Sequence, residues 1–146
     1  MSGVLFDTSI YIAALRQGDA AILGLRGALR AGDRQGRPMW LSVVVLEELY
    51  VGAVDPKARR NLQHMERQFA KIGRLLVPAS GDWTSAGHVL CKIGQKYGFN
   101  LVSNARLTND AVIAMCVASR GFTLQTKNPR DFRLIAEFRH FDWQTV

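Results

Sequence analysis

An α/β domain, with a central parallel sheet of about four to five strands flanked by helices on both faces, is the fold class this sequence predicts. Three observations carry the prediction. Short apolar runs alternate with helix-period segments along the chain, which is the pattern of strand–helix–strand units with a parallel sheet. The first run, Val4-Leu5-Phe6, ends in a carboxylate and two hydroxyls, Asp7, Thr8 and Ser9. Ligands of α/β proteins sit just beyond the carboxyl ends of the strands, so an acid there faces a cleft. The 146 residues suit one domain, 1–146, without linker, repeat or low-complexity segment.

Val4, Leu5 and Phe6 form the first buried strand. Residues 19–31 read as a helix, with Ala21, Ile22, Leu25 and Leu29 at helical spacing, and the Gly- and Pro-containing stretch 32–38 breaks it. Residues 39–41 form a second strand ending at Ser42, which caps a helix over 43–53. Asp55-Pro56 opens a long, basic amphipathic helix through about Ile72, with Leu62, Met65, Phe69 and Ile72 on one face. This helix and the one before it are candidate docking surfaces. Residues 75–77 form a third strand, 83–97 a helix and 98–107 a polar loop, after which Thr108-Asn109-Asp110 cap a helix over 111–120. Gly121 stops that helix in the left-handed conformation. Residues 122–125 form a fourth strand, 126–132 the loop that leaves it, and 141–143 a last short strand.

No stretch approaches the roughly 20 uncharged apolar residues of a membrane span. The N-terminal residues lack a basic lead and an apolar run, so the expectation is a cytoplasmic protein. Cys91 and Cys116 form no paired thiol motif and read as small core residues on helices. His64, His88 and His140 are scattered without metal-binding spacing. Nineteen basic against 12 acidic residues give a formal charge of +7 and a pI near 10. A polyanion, nucleic acid first, fits that balance, as does simple solubility.

Candidate chemistry lies in the acids. Read singly, each has a structural explanation: Asp7 as a turn former, Asp110 as a first-turn acid favoured by the helix dipole, Asp131 as the start of a last helical segment. Glu48 differs, because Val43, Val44, Val45, Leu46 and Leu49 surround it and only one of Glu47 and Glu48 can face solvent comfortably. Three acids converging on one cleft suggest a metal site, since hard divalent ions prefer oxygen ligands.

Taken together, these residues resemble the PIN-domain ribonucleases, and most closely the VapC-like toxins of bacterial type II toxin–antitoxin pairs. The carriers are Leu5-Phe6-Asp7-Thr8-Ser9, the stretch 42–53 with Glu48-Leu49 and Gly52, Asn109-Asp110-Ala111, and the stretch 121–132. The family's first acid matches Asp7, its third matches Asp110, and its second matches Glu48, which is followed by Leu and then by Gly four residues on. Relatives place the fourth acid either where Asn128 stands or where Asp131 stands. The stretch 98–107 departs from the shorter connection of the family.

The resemblance implies hydrolysis of RNA phosphodiester bonds by water activated on Mg²⁺ or Mn²⁺. Asp7 and Asp110 would hold the metal, Glu48 would bind through water or orient the attacking water, and Asp131 would complete a second site. Thr8, Ser9 and Thr126 can orient these carboxylates, and Asn128 can hold the loop. Arg106, Lys127, Arg130 and Arg133 lie near the acids in sequence and either meet RNA phosphates or form a solvated basic rim. A small cognate antitoxin and homodimerisation are the partners such a toxin implies. Two other readings remain: a phosphatase of the haloacid dehalogenase type, which needs a second Asp where Ser9 stands, and a degenerate RNA-binding or scaffold module, motivated by Asn128 and the basic surface.

Overall fold

The computed structural model describes residues 2–18, 27 and 32–146; apart from residue 27, the helix expected over 19–31 lies outside the described residues. Five strands form one sheet: β1 Val4–Phe6, β2 Met39–Ser42, β3 Leu75–Leu76, β4 Thr123–Thr126 and β5 Asp142–Thr145, in the order β3-β2-β1-β4-β5. Every pairing is parallel, with Leu5 opposite Trp40 on one side and opposite Leu124 on the other. Parallel neighbours need a crossover between them. The described helices supply it: α1 Thr8–Gln17, α2 Val43–Gly52, α3 Pro56–Lys71, α4 Ser80–Tyr97, α5 Phe99–Val102, α6 Ala105–Arg120 and α7 Pro129–Ala136.

Strand order reverses at β1, which has β2 on one side and β4 on the other. Beyond the carboxyl ends of β1 and β4 the chain therefore leaves a crevice, the place where open α/β sheets hold ligands.

The core is built on β1, whose Val4 and Leu5 are wholly buried, and on α6, which buries Leu107 and the run from Ala111 to Val117. Ser42 caps α2 by accepting from the Val44 N–H at 3.1 Å. Asp55 caps α3 with Pro56 in its first turn, and α3 buries Leu62 and Phe69. The Tyr50 hydroxyl donates to Glu66 at 2.6 Å and ties α2 to α3. Asp82, near the start of α4, accepts from the Ala79 N–H, the Ser119 hydroxyl and Arg120, joining α4 to the end of α6. Gly121 ends α6 at φ 65°, where a side chain is disfavoured.

Several expectations need correction. Helix α1 is not anticipated from the sequence, and Asp7, whose structural reading is a turn former, is its N-cap. Residues 98–107 are not a polar loop: they contain α5 and the first turn of α6, which Asn104 caps through the Arg106 N–H. Helix α4 starts at Ser80 rather than 83, and α7 starts at Pro129, inside the expected loop. Cys116 is buried, but Cys91 is exposed rather than in the core.

Candidate active site

Asp7 is 5% exposed at the carboxyl end of β1, where its N–H continues the ladder to Gln125 of β4. Its two carboxylate oxygens are held separately. One accepts from the Ser9 N–H at 3.1 Å and the Ser9 hydroxyl at 2.5 Å; the other accepts from the Thr126 hydroxyl at 2.5 Å. Those hydroxyls are oriented in turn, because Ser9 accepts from the Lys127 N–H and Thr126 from the Asn128 N–H, each at 2.9 Å. Two amides at the end of β4 thus act through two hydroxyls on one carboxylate of β1.

Helix α2 brings the second acid. Glu47 is exposed while Glu48 is half-buried and turned toward the cleft, as expected if one of the pair faces inward on an otherwise apolar helix. The Thr8 hydroxyl donates to Glu48 at 3.0 Å, Asn109 also hydrogen-bonds it, and the Arg106 guanidinium lies close enough to attract it. Asp110 comes from the second turn of α6, not from its first, so the expected dipole explanation for an acid there does not apply. Its carboxyl hydrogen-bonds that of Asp131, from the first turn of α7.

Electrostatics bind the four acids into one unit. Burial pushes the Asp110 carboxyl from 3.8 up to about 9, reinforced by the hydrogen bond and charge of Asp131 and by the charges of Glu48 and Asp7. Burial also raises Asp7, against the hydrogen bonds of Ser9 and Thr126 that lower it, and raises Glu48 against Thr8. Without a cation, one proton is held on Asp110 because neighbouring carboxylates cannot all ionise in a low-dielectric pocket.

That behaviour is the test of whether a metal fits. The donors are oxygen throughout, the choice of Mg²⁺ and Mn²⁺. Among the described residues no three acidic, histidine or cysteine side chains form a ready-made cage, but an ion of this kind keeps several waters and needs only one or two carboxylates directly, which Asp7 and Asp110 could supply.

The cleft, about 310 Å³, has Asp7, Glu48 and Asp110 in its wall together with Arg106, Lys127 and Asn128. On α7, Asp131, Arg130 and Arg133 all lie outside that wall, the two arginines exposed and Asp131 half-buried against Asp110. Two residues escaped the sequence reading. Arg16 also lines the cleft, completing a stripe of α1 with Ser9, Ile12 and Ala13 at helical spacing; it becomes visible once α1 is recognised. Asn109 was read as part of a cap, although its adjacency to Asp110 is the signal that could have found it.

Comparison with known proteins decides the fold. Over 99% of its length the chain is similar to 98% of a chain in the crystal structure of DNA-bound VapBC from Salmonella typhimurium, with TM-score 0.68 and 21% identity. This is the PIN fold. Chains of VapBC2 from Rickettsia felis, bound to a DNA fragment from their promoter (TM-score 0.64, 18% identity, 98% of each chain), and of VapBC-1 from nontypeable Haemophilus influenzae (0.61, 22%, 97% of this chain and 96% of that one) share it. All three are toxin–antitoxin complexes. No family model matches the sequence, and no curated protein matches it. The acidic crevice of this PIN fold lies at its β1–β4 switch point, and among the described residues no helix is long and apolar enough to cross a membrane.

Proposed function

We propose that the protein is a Mg²⁺- or Mn²⁺-dependent endoribonuclease and the toxin of a toxin–antitoxin pair. The observation that carries this reading is the convergence of Asp7, Glu48 and Asp110 on one crevice, with Asp131 behind Asp110, where their mutual repulsion is relieved either by a proton on Asp110 or by a cation. Asp7 and Asp110 would hold the ion, with Asp131 beside them. Such an ion supplies positive charge for activating water and for stabilising negative charge on the reacting phosphate.

The chain's own groups do the rest. Thr8 and Asn109 hold Glu48 in one orientation, and its raised pKa suits it to take the proton of the attacking water. The water oxygen then bonds to phosphorus as the bond to the leaving ribose oxygen breaks. Arg16, Arg106 and Lys127, which line the crevice with the acids, would hold the flanking phosphates. The toxin role is supported by likeness to VapBC complexes, and the partner it calls for is a small antitoxin that covers the cleft.

The test is cleavage of RNA by purified protein in EDTA, Mg²⁺ and Mn²⁺. Cleavage with either ion and none in EDTA is expected. RNA binding without cleavage under every condition would instead favour the degenerate RNA-binding module, the reading that Asn128 at a family acid position motivates.

A further inference from the structure

The acidic residues of this basic protein are largely committed. Asp7, Glu48 and Asp110 share the cleft and Asp131 contacts Asp110, Asp33 pairs with Arg37, Asp82 with Arg120 and Glu137 with Lys96, and Asp55 caps α3. The excess positive charge therefore has to appear elsewhere, and helix α3 gathers a large part of it. Lys57, Arg59, Arg60, Arg67 and Lys71 face one acid in that helix, Glu66, which is occupied by the Tyr50 hydroxyl. Arg59 turns to the carbonyls of Ala53 and Val54. Arg60, Arg67 and Lys71 are exposed and have no salt bridge among the described residues.

At 100° per residue these three fall within about 40° of one another, opposite the buried Leu62 and Phe69, and span about 16 Å of helix. A surface helix with three aligned, exposed cations is complementary to a phosphate backbone. A groove of about 420 Å³ runs between α1, α2 and the start of α3, bounded by Leu49, Ala58 and Asn61, and it shares Arg16 and Glu48 with the acidic crevice.

We infer that Arg60, Arg67 and Lys71 form a second RNA contact, which grips the phosphate backbone of a structured RNA while a single strand is cut in the cleft. The inference deepens the ribonuclease reading and rests on it. Structured RNA is met through its backbone and shape, whereas cutting requires an unpaired segment, so two contacts at a distance suit a folded substrate better than one.

The triple variant Arg60→Ala/Arg67→Ala/Lys71→Ala in the full chain tests this, with Arg67→Glu as a second, single change. Binding of bulk tRNA is measured in EDTA over a series of salt concentrations. The triple variant should bind at least about 10-fold more weakly, and its log–log salt slope should be shallower by about 3, one per lost phosphate contact. Arg67→Glu should move both quantities the same way. With Mg²⁺ or Mn²⁺, KM for structured RNA should rise while cleavage of a short unpaired oligonucleotide stays within about two-fold of wild type. A changed slope with no cleavage by either protein would sink the ribonuclease reading and leave the contact standing. Cleavage with an unchanged slope would overturn the contact alone.

Discussion

Asp110 sits among Leu107, Ala111 and Ala114, all buried, and its proton is kept there by Asp131 and by two further acids. The folded chain thus holds a proton that the unfolded chain releases near 3.8. The stability this gives is full below that value and is lost as pH rises toward about 9. In EDTA, Asp110→Asn should gain Tm relative to wild type progressively from pH 5 to pH 9; a constant difference would mean that Asp110 is not the proton holder. Metal binding should release protons over the same range, measurable by titration in weak buffer. Asp7→Asn should lower cleavage more than about 100-fold with the fold retained, since even groups that merely orient metal ligands cost 10- to 100-fold when removed. Thr126→Val, which removes one of those orienting hydroxyls, should weaken Mn²⁺ binding by roughly that smaller factor. Asp131→Ala should reduce Mn²⁺ affinity more than Asn128→Ala, because Asp131 contacts Asp110 directly while the Asn128 side chain makes no capping bond. The acids were legible at this scale because a carboxylate in an apolar context is conspicuous in any sequence. Arg16 and Asn109 were not, because an arginine or an asparagine looks the same on a rim as in a cleft.

Helix α1 was invisible for a related reason. Thr8, Ile10, Tyr11 and Ile12 are β-branched or aromatic, types that favour strands, and Asp7 announced a cleft more loudly than a cap. It is both: the bond from the Ser9 N–H that starts the helix also holds the carboxylate that lines the cleft. The region 98–107 hid α5 and the start of α6 behind polar composition, although Asn104 is an ordinary N-cap residue. Strands and long helices with caps, such as β1 and α3, were read almost to the residue because pattern and cap agreed. Away from the site, Asp82 joins α4 to α6. Asp82→Ala should cost about 2–4 kcal/mol in urea denaturation, since it removes a buried acceptor and strands the Arg120 charge, with cleavage of the remaining folded protein unchanged.

For the whole molecule, the alternation of strands and helices was enough to give a parallel sheet, but not which strands would be neighbours; β4 lies beside β1 although more than a hundred residues separate them. Production of the chain alone in a bacterial host should arrest growth, and production of Asp7→Asn should not. Equal arrest by both, scored as colony-forming units after induction, would point to indiscriminate cationic binding rather than catalysis. The hydroxyl bond from Thr126 to Asp7 joins positions 119 apart in sequence, and this separation has a consequence for synthesis. A ribosome that has made Asp7, Glu48 and Asp110 has still not made the strand that holds the first of them in place. The growing chain therefore carries these three acids without the bond that orients Asp7 until β4 has been made, and a chain stopped before Thr126 should hold its first acid loosely.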